Sequence, residues 1–476
     1  MKNLLKAILA AALGLSMLAA ASAFMLPTMN QARNHAEYAP SIYYSDSLNR
    51  LPKQSLDALF IGSSQIFASF SPMEMWRDQG IAAYCCTSVG QPAAASYYYL
   101  RYYLRSQSPR VVAVDVRGLY KDMAEESYAD QAYNRSAVDR LPFSREKIEL
   151  AREMWKRQNY GESFYSYLLP ILRFHARWKE LQETDLILRE NYDYARGFDM
   201  AYGLDTLFPM TDEDFPVLTE APTEECRERD EDAAQWYQKM AELCAERGVR
   251  LLLIKTPCTQ WTLESRNTLY ALAEECGVEA LDFNDPELWT QLGFDYETDM
   301  VDHLHLNYRG AKKFSVWFGD YLQRKYGLPD HRGEESYAFW DSDLRFYDRQ
   351  LKAWEIQHAR TGTELRALVL NGDYELLAVG MDKAESGFKE ALGIPQEMLD
   401  MWVSRWNGEF ADTEYTFETK GYFGDEEYEI NDTGIYMHGC NYMVGSGGLY
   451  YVVRDRLLNK IVDYGTVHQN DALRRK

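Results

Sequence analysis

The sequence predicts an α/β domain on an open parallel sheet, helices on both faces, followed by a smaller α+β domain. Three observations lead there. From Leu56 to about Gly327, short β-rich runs alternate with helical periods, the pattern of a βαβ series. The β-runs are apolar throughout rather than alternating, as strands covered on both faces should be. Gly248 and Gly277 stand just before two of those runs, where a left-handed residue closes a helix.

In order, the expected strands are Leu56–Ile61, Ala82–Cys86, Arg110–Val116, Val249–Ile254 and Val278–Phe283. The expected helices are Pro72–Gln79, Pro92–Gln107, Glu225–Arg247, Thr262–Cys276 and Arg309–Tyr326. Between the third and fourth strands lies an insertion, residues 120–222, too long for an ordinary loop. It holds helical stretches Arg145–Gln158 and Ser163–Leu181, the second interrupted by Pro170, and the conspicuous run Phe174-His175-Ala176-Arg177-Trp178. Either it forms a helical lid over a site or its helices pack on the sheet edge. Residues 331–363 read as a polar, aromatic linker.

From Glu364 to the end, a short strand Tyr374–Val379 and a helical stretch Pro395–Trp406 precede further β-runs. Those are Tyr415–Tyr422, Gly434–His438, Leu449–Arg454 and Lys460–Asp463. Turn residues such as Gly445-Ser446-Gly447-Gly448 separate several of them. This is an accessory domain with mostly antiparallel strands and no recognisable catalytic set. The whole divides as 1–30 leader, 31–330 sheet domain with its insertion, 331–363 linker and 364–476 accessory domain.

Composition bounds the function classes. Hydrophobic residues make up 46% of 476, enough for a substantial core. The net charge is −22 with no basic block after the leader, which argues against a nucleic-acid partner. Lys2 and Lys6 flank or interrupt an apolar stretch from Leu4 to Leu26, and the next basic residue is Arg33. Charge at that end orients the chain across a membrane, and the length suffices to span one. Ala21-Ser22-Ala23 is also an acceptable signal-peptidase site, so a cleaved signal and a retained anchor both remain open. In either case the bulk of the chain is extracytoplasmic. The seven cysteines are scattered without CxxC spacing or a Cys/His cluster, so free thiols are expected rather than zinc or a disulfide framework.

Two short motifs carry the chemistry. Gly62-Ser63-Ser64 follows the first strand, and Asp302-His303-Leu304-His305 precedes the last helix. Ligands in an open parallel sheet sit beyond the carboxyl ends of the strands, which is where Ser64 falls. A serine hydroxyl needs a base to take its proton, and a histidine needs an orienter to hold its tautomer. Ser64, His305 and Asp302 supply nucleophile, base and orienter. Each motif alone has a plainer reading: Ser64 as a helix cap, and the Asp302/His305 pair as a hydrogen-bonded loop. Their joint occurrence at the two ends of one sheet domain favours catalysis. Secondary candidates are Arg173 and His175, with Arg177, for an anionic or glycan substrate, and Thr256 beside the fourth strand. No metal or organic cofactor is required.

These residues resemble the SGNH/GDSL hydrolase superfamily over about Leu56 to Tyr326. Gly62-Ser63-Ser64 matches its first block, with Ser63 where many members carry Asp. Asp302-His303-Leu304-His305, followed by Leu306-Asn307-Tyr308-Arg309-Gly310-Ala311, matches the last. Ser88-Val89-Gly90 follows the second strand, where the family's second-block glycine donates an oxyanion N–H. The resemblance implies a flavodoxin-like sheet of order 2-1-3-4-5, Ser64 as nucleophile and the N–H groups of Ser64 and Gly90 at the oxyanion. One departure stands out. Where the family carries an Asn after the third strand, this chain reads Val114-Asp115-Val116-Arg117-Gly118-Leu119. Either Arg117 substitutes as a donor or the oxyanion hole has two donors.

The tethered layout, the Gly-Ser-Ser variant and the missing Asn look like the branch containing the D-alanyl-lipoteichoic acid and alginate O-acetylation proteins. That implies an esterase or O-acyltransferase acting on acylated cell-envelope carbohydrate, often beside a membrane-bound O-acyltransferase as partner. The alternative from another class is a catalytically weak or inactive protein of this fold that binds glycan or a partner in the envelope.

Overall fold

The computed structural model describes residues 2–25, 47–179, 193–199 and 206–369. In the C-terminal part it describes 373–380, 403–406, 410–413, 419–423, 426–431, 434–437, 440–443, 449–468 and 470–475. The chain forms two compact units, Met1–Leu344 and Arg345–Lys476.

The first unit is organised on five parallel strands: β1 Ala58–Gly62, β2 Ala83–Thr87, β3 Val111–Asp115, β4 Arg250–Lys255 and β5 Glu279–Asp282. Their order is β2-β1-β3-β4-β5. The fold class is therefore the expected one, and each strand lies within two residues of its predicted bounds. β1, β2 and β3 are buried at every position, which is why their sequences are apolar without alternation. Gly248 and Gly277 close their helices with φ of 68° and 62°, filling the capping role the sequence assigns them.

The order reverses beside β1: the chain passes to β2 on one side and then crosses back to β3 on the other. This puts the carboxyl end of β1 at the switch point, the usual place for a ligand crevice. One aromatic core joins this strand to the far end of the domain. Phe60 in β1 packs on Phe70 (5.5 Å between ring centroids) and on Phe318 (5.6 Å). Phe283, just past β5, packs on Phe314 (5.2 Å) and Phe318 (5.5 Å). Phe314 and Phe318 lie on the buried face of the helix Tyr308–Tyr326. That helix is also bonded to the region after β1, through Ser71 N–H to Ser315 Oγ (2.7 Å) and Gln79 Nε2 to the Val316 carbonyl (2.8 Å). Burial of these rings, at roughly 25 cal/mol per Å² of apolar surface, brings together two segments some 240 residues apart in sequence.

The insertion resolves in part between its two expected roles. The helices Gln131–Arg140 and Arg145–Arg157 pack beside the helix Ala93–Tyr103. Tyr99 donates to the Ala137 carbonyl (2.6 Å), and Arg101 and Arg105 pair with Glu146 (3.4 and 3.1 Å). The predicted Ser163–Leu181 helix is instead two short helices, Phe164–Leu168 and Ile171–Phe174, followed by a 3₁₀ turn, His175–Lys179. Pro170 accounts for the break, since it cannot donate within a helix interior.

Two readings near the domain boundary are corrected. Much of the expected linker is the helix Ala338–His358, in which Trp340, Tyr347 and Ile356 are fully buried. The helical stretch expected over 395–406 ends as strand Val403–Trp406, β7, with 395–402 outside the described residues. The segments 415–418 and Gly445–Gly448 also lie outside them.

Within the second unit a six-stranded sheet runs β15-β14-β13-β6-β7-β8. Here β6 is Tyr374–Gly380, β8 Phe410–Thr413, β13 Leu449–Asp455, β14 Lys460–Val467 and β15 Leu473–Arg474. A four-stranded sheet, β12-β11-β10-β9, is formed by β9 Thr419–Phe423, β10 Glu426–Asn431, β11 Gly434–Met437 and β12 Cys440–Asn441. All described pairings in this unit are antiparallel, as expected. Alternate residues of β6 and β13 enter two cores. Leu376, Ala378, Tyr451 and Val453 pack with Ile356, Leu365 and Val369, whereas Leu377, Val379, Tyr450 and Val452 pack with Ile430, Ile435 and Met437.

All seven cysteines are free. Four are buried, and Cys226 and Cys440 are exposed.

Candidate active site

The approach to Ser64 is built from glycine and two hydroxyls. Gly62 ends β1 with no room for a side chain: a Cβ there would lie 2.6 Å from Asp115 Cβ and 2.7 Å from Ile66 Cγ1. Ser63 caps the helix Ser64–Ser69, its Oγ accepting from Gln65 N–H (3.4 Å) and donating to Asp115 Oδ2 (3.2 Å). The capping role considered for Ser64 thus belongs to its neighbour, which leaves the Ser64 hydroxyl available. From Ser55 to Trp76, Ser64 is the one residue that is not fully buried.

The second motif forms a closed turn. Val301 N–H bonds the His305 carbonyl (2.9 Å), and Met300 bridges Leu306. Asn307 caps the following helix, accepting from Gly310 N–H (3.1 Å) while its Nδ2 holds the Thr298 carbonyl (2.7 Å). Inside the turn, Asp302 Oδ1 accepts from the N–H groups of Leu304 (2.8 Å) and His305 (2.9 Å), an Asx arrangement that holds the carboxylate over the ring. His305 Nδ1 lies 2.9 Å from Asp302 Oδ2, and Nε2 lies 2.8 Å from Ser64 Oγ. An ionised carboxylate only accepts, so Nδ1 carries the proton and Nε2 accepts from the serine hydroxyl. His303, its neighbour, faces elsewhere and stacks on Phe208 (6.0 Å).

Burial pushes the Asp302 carboxyl up, but the His305 hydrogen bond and charge, with the two backbone N–H bonds, outweigh it and hold its pKa below the ordinary range. The sign of the consequence is definite. A depressed carboxylate contributes stability in full above its unfolded pKa of about 3.9 and loses it as pH falls through the lower folded value. The destabilisation caused by Asp302→Asn is therefore expected to be present at pH 7 and to vanish in strong acid. Urea unfolding of both proteins at several pH values measures it.

Gly90 occupies the loop after β2, with Ser88 N–H bonded to the Gly62 carbonyl (3.4 Å). Its φ is +55°, and a Cβ would overlap the ring of Tyr133 from the insertion. Gly90→Ala is accordingly expected to destabilise the fold by about 1–3 kcal/mol and to displace this loop, which a thermal melt would show. Among the described residues, neither Ser64 N–H nor Gly90 N–H has a hydrogen-bond partner.

The other candidates are placed differently. The Arg117 guanidinium is engaged by the helix Lys121–Ala129, through Ser127 Oγ (3.2 Å) and Glu126 Oε2 (2.6 Å), so it is not held ready as an oxyanion donor. Arg173 is buried in an ion pair with Asp139 (2.7 Å). His175 is exposed, with Nδ1 on the Leu172 carbonyl (3.3 Å). No described contact joins either residue to Ser64. Arg177 donates to the Met25 carbonyl (3.1 Å). Thr256 does follow β4 on the same sheet edge as Ser64, but it is fully buried and its hydroxyl has no partner among the described residues.

Sequence reasoning missed the polar pair behind Ser64. Lys255 at the end of β4 is buried, and its Nζ donates to Gln65 Oε1 (2.5 Å), while Gln65 Nε2 reaches the Leu304 carbonyl (3.3 Å). This chain ties β4, the helix Ser64–Ser69 and the histidine turn together. Its one advance signal is a lysine at the end of an apolar strand.

No protein-family model matches this chain, and no curated protein matches it. Solved structures of low identity align with it. One is the crystal structure of an inferred acylhydrolase from Bacteroides fragilis, 9% identical, covering 60% of this chain and 95% of that one with a TM-score of 0.27. Another, a gut microbial diltiazem-metabolizing enzyme, is 14% identical over 58% of this chain and 47% of that one, with a TM-score of 0.24. At these scores neither alignment bears on what the chain does.

Proposed function

We propose that this chain is an extracytoplasmic serine esterase or O-acyltransferase acting on acylated cell-envelope carbohydrate. The observation that carries the reading is the continuous line from Ser64 Oγ through both His305 nitrogens to Asp302, with links of 2.8 and 2.9 Å. In this scheme Ser64 Oγ attacks the ester carbonyl carbon while its proton passes to His305 Nε2. The oxyanion is held by the N–H groups of Ser64 and Gly90, and Asp302 stabilises the imidazolium. Collapse breaks the bond to the sugar oxygen, which leaves with the proton from Nε2. Water or an acceptor hydroxyl then attacks the acyl-serine, giving its proton to Nε2, and Ser64 is regenerated. Two oxyanion donors rather than three fit the engagement of Arg117 elsewhere.

The extracytoplasmic placement rests on the helix Lys2–Met25, whose stretch Asn3–Ser22 has a mean hydropathy of 2.0 and is long and apolar enough to cross a membrane. Labelling by a fluorophosphonate probe tests the nucleophile: wild type is expected to label and Ser64→Ala to remain unlabelled. A folded wild type that stays unlabelled would favour the binding protein of the same fold. Product analysis then separates the two enzymes, free acyl acid marking an esterase and an acylated sugar a transferase.

A further inference from the structure

The run Phe174–Trp178 finds no place in the chemistry at Ser64, yet its surroundings are distinctive. From Ser163 to Lys179 there is no acidic residue, in a chain where 73 of 476 residues are Asp or Glu. The same segment displays large apolar and aromatic side chains to solvent: Tyr165 is 64% exposed, Leu172 50% and Trp178 60%. Lys179 lies beside them, its Nζ 5.7 Å from the Trp178 ring centre. Aromatic rings with a polar edge, an aliphatic side chain and a lysine form the set that settles at the headgroup level of a bilayer.

What identifies the occupant is the position of the N-terminal helix. Its far end is docked on this segment: the Met25 carbonyl accepts from Arg177 Nη1 (3.1 Å), and Ser22 is buried. Earlier in the helix, Leu4, Leu5, Leu9, Leu13 and Met17 are all about 60% exposed or more. A span of 20 residues rises about 30 Å at 1.5 Å per residue, the thickness of the hydrocarbon core. Where the span leaves the hydrocarbon, the surface beside it is that of the bilayer.

We propose that Ser163–Lys179 is a bilayer-docking foot, in which Tyr165, Leu172 and Trp178 seat in the interfacial zone of a phospholipid membrane beside a retained N-terminal span. The foot supplies the local attraction that a surface of net charge −22 otherwise denies to an anionic bilayer.

The test places a photo-crosslinking benzoylphenylalanine in turn at positions 165, 172 and 178 of the full chain, held in nanodiscs of phosphatidylethanolamine and phosphatidylglycerol. Tyr270, 44% exposed on the helix Leu263–Cys276, serves as control, and a thermal melt confirms folding of each variant. Mass spectrometry is expected to show phospholipid adducts at the three positions at least about fivefold above the control, on chains that keep residues 1–25. Adducts no higher than at position 270, crosslinks to protein in their place, or a membrane-isolated chain lacking its first 25 residues would each overturn the proposal. None of these readouts depends on labelling at Ser64.

Discussion

Replacing Ser64 by Ala is expected to lower hydrolysis of an activated aryl ester by about 10⁴-fold or more, and His305→Ala to do the same, because nucleophile and base act as one unit. Asp302→Asn should fall less far, by about 10⁴-fold at most, since it leaves the ring in place but removes the acceptor that keeps the proton on Nδ1. The double variant Ser64→Ala/His305→Ala should be no slower than either single one. These relations follow from the geometry, in which Nε2 lies 2.8 Å from the Ser64 hydroxyl, placed to accept its proton. Steady-state rates for the four proteins check them. If the losses multiply in the double variant, or if Ser64→Ala retains wild-type turnover, the three residues do not form a catalytic unit.

Asp139→Asn is expected to destabilise the first unit by about 3–5 kcal/mol, the effect of leaving a buried charge without its partner. The Arg173 and Asp139 side chains are each only 4% exposed and meet at 2.7 Å. Lys147 lies close by, its pKa lowered by burial and by the Arg173 charge and supported by Asp139. Without the carboxylate, two cations would face each other in a poorly solvated space. Replacing Asp139 and Arg173 together by Leu and Met should recover most of the loss, because a well-packed apolar pair avoids the desolvation penalty altogether. Urea denaturation midpoints of the single and double variants decide it. This pair also accounts for Arg173, which the sequence offers as a substrate ligand: local spacing shows a cation near a histidine but not the carboxylate that buries it.

The same division runs through the rest of the molecule. The sheet was legible because its strands are short, apolar on both faces and bounded by capping glycines, so local pattern and burial coincide. The contact of Ser64, His305 and Asp302 was legible because each sits in a local turn whose chemistry is written in a few adjacent residues. Asp302 and His305, three apart, need only the Asx turn they form themselves. The engagement of Arg117 by Glu126 and Ser127, and the Lys255–Gln65–Leu304 chain, depend on partners brought in from other elements. The helix Ala338–His358 was read as linker because its many polar and charged residues obscure the few buried aromatics.

By itself, then, the sequence determined the strand–helix alternation, the position of Ser64 at a strand end, the Asp302/His305 turn and an apolar span at the amino terminus. Each depends on neighbours in the chain. Tertiary structure alone decided that Ser63 does the capping while Ser64 meets His305, and that the insertion splits between packing on the sheet domain and docking the end of the helix Lys2–Met25. Those outcomes depend on long-range burial. The aromatic core of Phe60, Phe70, Phe283, Phe314 and Phe318 draws distant segments together, and the polar groups at its rim meet partners that only this packing brings within reach.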